Sequence, residues 1–408
     1  VDMISQAAPQ IARRFRQVRK IWRSEGQRGI SDRARTVLAS WIKPKAEMWP
    51  VRPEDVIAAD LTRPLHASSG RAKPGEPIVI NWVMLPAAAG SGGHTTIFRI
   101  IGHLEKNGYV NRVYFYDPYR GDHQYYEGII RHYYGFAGPV ANVDDTMEDA
   151  HAVVATSWPT AYPVFNAACM GKRFYFVQDF EPHFHAVSAA SILAENTYRM
   201  GFHAITAGRW LAEKLHTEFG MAADYFEFGC DTSRYCRLPD SKRKGIAYYA
   251  RSGAPRRGFE LGIMALEILA KRRPEIELHL YGDKIGHLPF EFIDHGLVTP
   301  DQLNTVYNRC FAGLSLSLTN VSLVPHEMLA AGCIPVVNDA NHNRIVLDNP
   351  FVRYAPPTPH ALAMELEALV TDPGFESLSE TAATSVRSAT WDAAGASVDA
   401  AFRKAVQA

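Results

Sequence analysis

The strongest constraint on this chain is a strand-to-helix alternation that runs once, halts at a hydrophilic stretch and begins again. In the first pass PIVINWVML (77–85), apolar and rich in β-branched residues, meets AAAGSGGH and then the helical pattern TTIFRIIGHLEKNG, closed by Gly108. Further apolar runs follow at RVYFYD (112–117), HAVVATS (151–157), KRFYFVQD (172–179) and HAITAG (203–208), with helical segments at PTAYPVFNAACMG, around 186–199 and near 209–219. DTSRYCRLPDSKRK (231–244) interrupts the series. The second pass reads GIAYYAR (245–251), the helix FELGIMALEILAKRRP, IELHLYGD (276–283), a helix LVTPDQLNTVYNRC capped by Thr299 and Pro300, FAGLSLSL (311–318), the helix PHEMLAAG and CIPVVN (333–338). Strands that alternate with helices imply parallel sheets covered on both faces. The expected fold class is therefore α/β: two facing Rossmann-like, doubly wound domains at 77–235 and 245–380, with a linker near 235–244. Residues 1–76, mixing short helical signals with proline-rich stretches, read as a basic helical appendage, and 381–408 as a helix that packs back on the first domain.

Composition narrows the function. A chain of 408 residues supports about two domains, and 47% hydrophobic residues suffice for their cores. Basic and acidic residues balance at 43 each, which excludes a globally basic nucleic-acid binder. Five dispersed cysteines form neither a secreted disulfide framework nor a zinc-ligand spacing, so a reducing cytoplasm is the expected compartment. No run approaches the roughly 20 apolar residues of a membrane span. The stretch PQIARRFRQVRKIWRSEGQRG (9–29) is nevertheless basic and aligns Ile11, Phe15, Val18 and Trp22 on one helical face. That face suits either peripheral contact with a membrane or docking on the chain's own domain.

Open α/β sheets bind ligands beyond the carboxyl ends of their strands. Three features of the second half fall there: Arg251, Arg256 and Arg257 in ARSGAPRRG, the YGD after the next strand, and SLTNVSLVPHEMLAAGCIPVV. Arginine forks suit phosphate, and a helix start exposes unpaired N–H groups. A carboxylate one turn in, Glu327, can accept hydrogen bonds from ribose hydroxyls or merely stabilise the first turn. Diphosphate plus sugar is the implied ligand.

In this order ARSGAPRRG, LHLYGD, GLVTPDQLNTVYNRC and PHEMLAAGCIPVV resemble the donor half of family 4 retaining glycosyltransferases, which have the GT-B fold. The resemblance covers most of 77–375, with the GSGGH loop and FGCDTSRY agreeing in the first half. It implies that Arg251 and Arg257, with Ser322 and Leu323, hold a donor diphosphate, that Glu327 meets the ribose, and that Gly282 and Val298 flank the base. Arg256 is expected to be ordinary surface charge. Two positions depart from the family: Thr319 stands where the first glutamate of its E-x7-E motif belongs, and Gln178 or Asp179 where many relatives carry histidine. These departures, QDFEP and the long appendage look most like WsaF-type bacterial rhamnosyltransferases. The resemblance thus implies a metal-independent enzyme without cofactor, whose co-substrate is a nucleotide sugar, dTDP-L-rhamnose, and whose acceptor is a saccharide or lipid-linked glycan.

Other residues carry two readings each. Asp179 and Glu181 are candidate catalytic carboxylates toward an acceptor hydroxyl, or a cap for the next helix. The loop of Gly90, Gly92, Gly93 and His94 lets the backbone approach a sugar or phosphate, or is a tight turn. Together with Thr319 it forms the expected sugar-side rim. Trp158, Tyr162, Phe180 and Phe184 suit stacking on sugar faces or core packing. His183 and His185 lack the acidic partners of a metal site.

Overall fold

The computed structural model describes residues 18–20, 22, 23, 26, 27, 29–31, 33–39, 41, 42, 49–63, 65, 72, 73, 75–121, 123–239 and 241–407. The chain divides into a unit ending at Pro50 and a body from Val51 onward. Ile11 and Phe15 of the basic amphipathic face lie outside the described residues; Val18 and Trp22 are exposed helical residues of the first unit. Among the described residues no helix is long and apolar enough to cross a membrane.

The boundary at residue 50 falls earlier than the expected 76, and Arg52 explains why. Its guanidinium pairs with Asp144 and donates to the Asp117 carbonyl at 2.7 Å, while its amide donates to the Tyr116 hydroxyl at 2.8 Å. Val51 is buried beside it, so helix α1 (Pro53–Ala58) is anchored on the first domain.

That domain is a seven-stranded, fully parallel sheet. Its strands are β1 (Val79–Met84), β2 (Val110–Phe115), β3 (Val140–Asn142), β4 (Ala152–Ala155), β5 (Lys172–Val177), β6 (His203–Ala207) and β7 (Ala223–Phe226), in the order β3-β2-β1-β4-β5-β6-β7. Helices α2 (Gly92–Lys106), α3 (His123–Tyr134), α4 (Trp158–Asn166), α5 (Ala189–Asn196) and α6 (Arg209–Phe219) connect them. The β1 strand is buried almost throughout, as a strand covered on both faces must be. The tyrosine-rich α3 is an element that the sequence reading passed over.

The second sheet has six parallel strands in the order β10-β9-β8-β11-β12-β13. They are β8 (Gly245–Ala250), β9 (Glu277–Gly282), β10 (Ile293–Asp294), β11 (Cys310–Leu314), β12 (Ile334–Asn338) and β13 (Arg353–Ala355). Around them lie α7 (Phe259–Arg272), α8 (Pro300–Asn308), α9 (Val324–Ala330), α10 (Asn341–Leu347), α11 (Pro359–Val370) and α12 (Phe375–Ser385). Thr299 caps α8 through a box with Gln302, where the sequence placed it. The strand expected over 311–318 stops at Leu314. Beyond it the Ser315 amide still reaches the Val336 carbonyl at 3.0 Å, but the Ser317 amide donates to the Asn338 side chain at 2.8 Å, so a side-chain bond replaces the ladder and the chain leaves the sheet as a loop.

The last helix, α13 (Trp391–Gln407), returns to the first domain. Phe402 sets its ring 5.9 Å from Trp82 and 4.9 Å from Phe174, against β1 and β5.

Candidate functional site

In the second sheet the order reverses between β8 and β11, and the loops after these two strands bound the crevice where such sheets take ligands. After β8 the chain makes a tight helical turn at Pro255–Arg257 and passes Gly258, whose φ of 58° is left-handed, into α7. The turn directs Arg257 onto the β11 loop: its guanidinium donates to the Ser317 hydroxyl at 2.8 Å, and Ser317 in turn donates to the Asn320 carbonyl. Arg251 sits further out, 3.2 Å from the Asp283 carboxylate that follows β9. Gly282, at φ 116°, lets this approach happen, since a Cβ there would lie 2.8 Å from the Ala250 carbonyl and 3.0 Å from the Arg251 chain. Its amide donates to the Gly296 carbonyl at 2.9 Å, which brings the Val298 loop alongside.

The two domains meet at this rim. Asn320, fully buried, donates its side-chain amide to the Gln178 carbonyl at 2.9 Å and the Ala207 carbonyl at 3.2 Å, tying the β11 loop to the ends of β5 and β6. Gln178 continues the link by donating to the Gly93 carbonyl at 3.2 Å. Asp179 comes within 3.6 Å of Arg256, whose guanidinium also lies 4.5 Å above the Phe184 ring. Arg256 is therefore not surface charge. Consecutive residues of a tight helical turn point in different directions, so Arg256 faces the first domain while Arg257 faces its own.

Burial raises the Asp179 carboxyl above its usual range, opposed by Arg257, Thr319 and Arg256 in that order. Burial likewise lowers the Arg257 guanidinium, with Asp179 opposing. The Thr319 hydroxyl is near enough to favour the Asp179 charge without completing a hydrogen bond. It shares that condition with several neighbours: Arg251 Nε, Arg256 Nε, Thr319 Oγ1, Asn320 Oδ1, Ser322 Oγ and His326 Nδ1 are all buried without a hydrogen-bond partner. Desolvation pushes His326 down to about 4, so its ring is neutral. Buried polar atoms are ordinarily paired; Arg251 Nε keeps the Asp283 carboxylate beside it as an ion pair, and the unpaired atoms of Thr319, Asn320, Ser322 and His326, all on the β11 loop and the start of α9, mark a candidate place for a ligand. Leu323 lies between them, half-buried, as the residue that opens α9.

Of the two glutamates singled out from the sequence, Glu181 is engaged elsewhere. Glu181 accepts the first amide of α4, from Trp158, at 2.6 Å and the Tyr175 hydroxyl at 3.0 Å, and burial raises its carboxyl to about 8. This is the helix-cap alternative, with the cap on α4 instead of a later helix. Glu327, raised to about 7 by burial, has Arg99 and the Tyr235 hydroxyl favouring its charge. Arg99 comes from α2 and contacts Asp231 at 3.7 Å, so Glu327 faces the hinge between the domains.

The first domain's rim is mixed. Gly92 and Gly93 are exposed, and His94 is held by the Ser91 hydroxyl at 2.9 Å and the Leu85 carbonyl at 3.2 Å. Trp158, Tyr162 and Phe180 are core residues, and of the four expected stacking aromatics Phe184 alone is exposed. Exposed tyrosines of this domain fall instead at Tyr119, Tyr125 and Tyr133, on or just before α3, and at Tyr225 on β7. The Tyr133 hydroxyl lies 3.6 Å from where a Cβ on Gly90 would stand, which puts this ring beside the glycine loop. Sequence reasoning also missed Ser317 and Asn320, although two polar residues beyond an apolar strand, in SLTN, were a usable signal. Among the described residues no group of His, Cys, Asp or Glu converges as a metal site would.

Known proteins share this architecture. A family model described as "WsaF, C-terminal domain" matches residues 244–367, the second sheet and its rim. The O-antigen biosynthesis protein RfbC of Myxococcus xanthus is 34% identical over 252 residues, 59% of this chain and 20% of that protein. The chain thus spans about one-fifth of the length of that curated relative. Among solved structures, Anabaena Alr3699/HepE in complex with UDP superposes with a TM-score of 0.60 at 13% identity, covering 80% of this chain and 100% of that one. Sucrose-phosphate synthase of Thermosynechococcus elongatus gives 0.59 at 13%, covering 80% and 99%. At these identities the likeness concerns the fold, and the fold is GT-B: two Rossmann-like domains facing across a cleft.

Proposed function

We propose that the chain is a glycosyltransferase that moves a sugar from a nucleoside-diphosphate carrier to a saccharide acceptor in the assembly of a bacterial surface polysaccharide. The observation that carries this reading is the switch-point crevice, where Arg251 and Arg257 border a loop whose buried polar atoms lack hydrogen-bond partners. Departure of a nucleoside diphosphate builds negative charge on its phosphate oxygens. Arginines fixed in a water-poor crevice stabilise that charge without having to reorganise and without calling on a metal. Ser322 and Leu323 border the same anion, while Gly282 and the Val298 loop form the groove for the base. The tie between Asn320 and the first domain excludes water from the reacting carbon and so suppresses hydrolysis.

The favoured donor is dTDP-L-rhamnose. Thr319 replaces a carboxylate with a small hydroxyl, which suits a 6-deoxy sugar with fewer hydroxyls to hold, and the resemblance of the chain's motifs to WsaF-type rhamnosyltransferases implies the same donor. The RfbC likeness supports an O-antigen-type product, and retention of configuration is carried over from the family resemblance. UDP-glucose, bound by a solved relative of the same fold, is the alternative donor class. In this reading the chain works in the cytoplasm, its basic segment at 9–29 reaching the inner face of the membrane where lipid-linked acceptors lie.

The test is a panel of dTDP-rhamnose, UDP-glucose, UDP-galactose and GDP-mannose, with hydrolysis and transfer followed by chromatography. Turnover of dTDP-rhamnose above the others, abolished in Arg257→Ala, supports the reading. Turnover of none, or turnover indifferent to Arg257→Ala, sinks it.

A further inference from the structure

Arg256 has a position that a donor site with two arginines does not explain. Its side chain is two-thirds shielded, with the guanidinium 4.5 Å above the Phe184 ring and 3.6 Å from Asp179 without an aligned hydrogen bond; its Nε is buried and unpaired. Asp179 is equally constrained: one carboxylate oxygen accepts the Phe180 amide at 2.8 Å, and the other is the one nearest Arg256. A buried guanidinium nitrogen with an unmade hydrogen bond is costly to leave that way. A tetrahedral phosphate, offering more acceptor directions than a carboxylate pinned to its own backbone, satisfies it better. The pairing is also repeated, since Asp283 stands against Arg251 as Asp179 stands against Arg256. The cluster thus holds its arginines ready with internal carboxylates.

Building on the proposed donor site, we infer that Arg256 is a third ligand for the donor diphosphate, with Asp179 as its stand-in counter-ion, displaced when the diphosphate binds. Asp179 belongs to the first domain and Arg256 to the second, so the exchange couples donor binding to the contact between domains. Freed from Arg256, the carboxylate remains at the end of β5, in the crevice where an acceptor hydroxyl would arrive.

Calorimetric titration of inorganic pyrophosphate, UDP and dTDP into the full chain tests this. Asp179→Asn removes the competitor, so all three probes should bind about tenfold tighter than to wild type, and Arg256→Gln should bind them about fivefold more weakly. Pyrophosphate carries no base, so a gain shared by all three places the effect at the phosphates. If wild type binds the probes and Asp179→Asn binds them no tighter, the counter-ion role falls while the donor site stands. If neither protein binds any of them, both fall.

Hydrogen–deuterium exchange on wild type with saturating UDP needs no substitution. Exchange should rise several-fold across 180–185 and slow across 315–323. Slowing of both segments together overturns the displacement.

Discussion

The two domains end their sheets on the same cleft, yet their rims differ in a way that residue types alone do not show. On the second domain's side, arginines and small polar side chains converge and six buried polar atoms remain unpaired. On the first domain's side, Glu181 caps α4, and Trp158, Tyr162 and Phe180 fill the core, while only Ser157 Oγ after β4 and His185 Nε2 after β5 stand near the strand ends without a hydrogen-bond partner among the described residues. Position at a strand end finds a rim. The density of unmet hydrogen-bonding capacity, greater on the second domain's loops, is what distinguishes the two rims.

Substitutions can break this contrast, beginning with the largest expected effect. Arg257→Ala removes a half-buried cation from the second domain's rim and leaves Asp179 with less compensation; donor turnover should fall at least 100-fold, about 3 kcal/mol in kcat/KM. A loss confined to thermal stability would make the second rim as structural as the first. Glu181→Ala should do the reverse, lowering stability by about 2 kcal/mol through loss of the α4 cap while leaving kcat within a few-fold in the folded fraction. Denaturant titration beside steady-state kinetics separates the two effects.

The pH dependence of stability sharpens the same point. Glu181 titrates at about 8 and Glu327 at about 7 in the folded chain, both through burial, whereas an unfolded glutamate titrates near 4.3. The native state therefore binds more protons between these values. The stability these groups contribute is full below about pH 4 and is lost as pH rises toward 7 and 8. Thermal unfolding between pH 5.5 and 8.5 should show this decline in wild type and a shallower one in Glu181→Gln; an unchanged slope would mean that Glu181 is already ionised in the fold. The smallest effect is expected at the exposed Tyr133. Tyr133→Ala should raise the acceptor KM about threefold with donor affinity unchanged, as loss of one stacking surface beside the glycine loop. Unchanged acceptor KM would move the acceptor away from α3.

Much of the site was legible because its elements are local. Arg251, Arg257, Gly282 and Ser322 follow strand ends that periodicity marks, and a parallel sheet gathers strand ends on one edge. What escaped were consequences of contact between distant segments. Arg256 reads as surface until Asp179 and Phe184, more than seventy residues away, are set against it. Asn320 is one polar residue among several until it reaches Gln178 and Ala207. The α3 helix escaped for a different reason: it is amphipathic, but its apolar face is made mostly of tyrosines with few aliphatic residues, and its burial rests chiefly on Ile130.

By itself the amino-acid order determined the two doubly wound sheets, the loops that border their crevices and the basic turn after β8, because hydrophobic period, glycine placement and capping act within a few residues of chain. Tertiary structure alone decided which carboxylate caps a helix, which faces the hinge and which meets an arginine. Those outcomes depend on desolvation and on partners brought from the opposite domain, and neither is encoded in the spacing of residues along one segment.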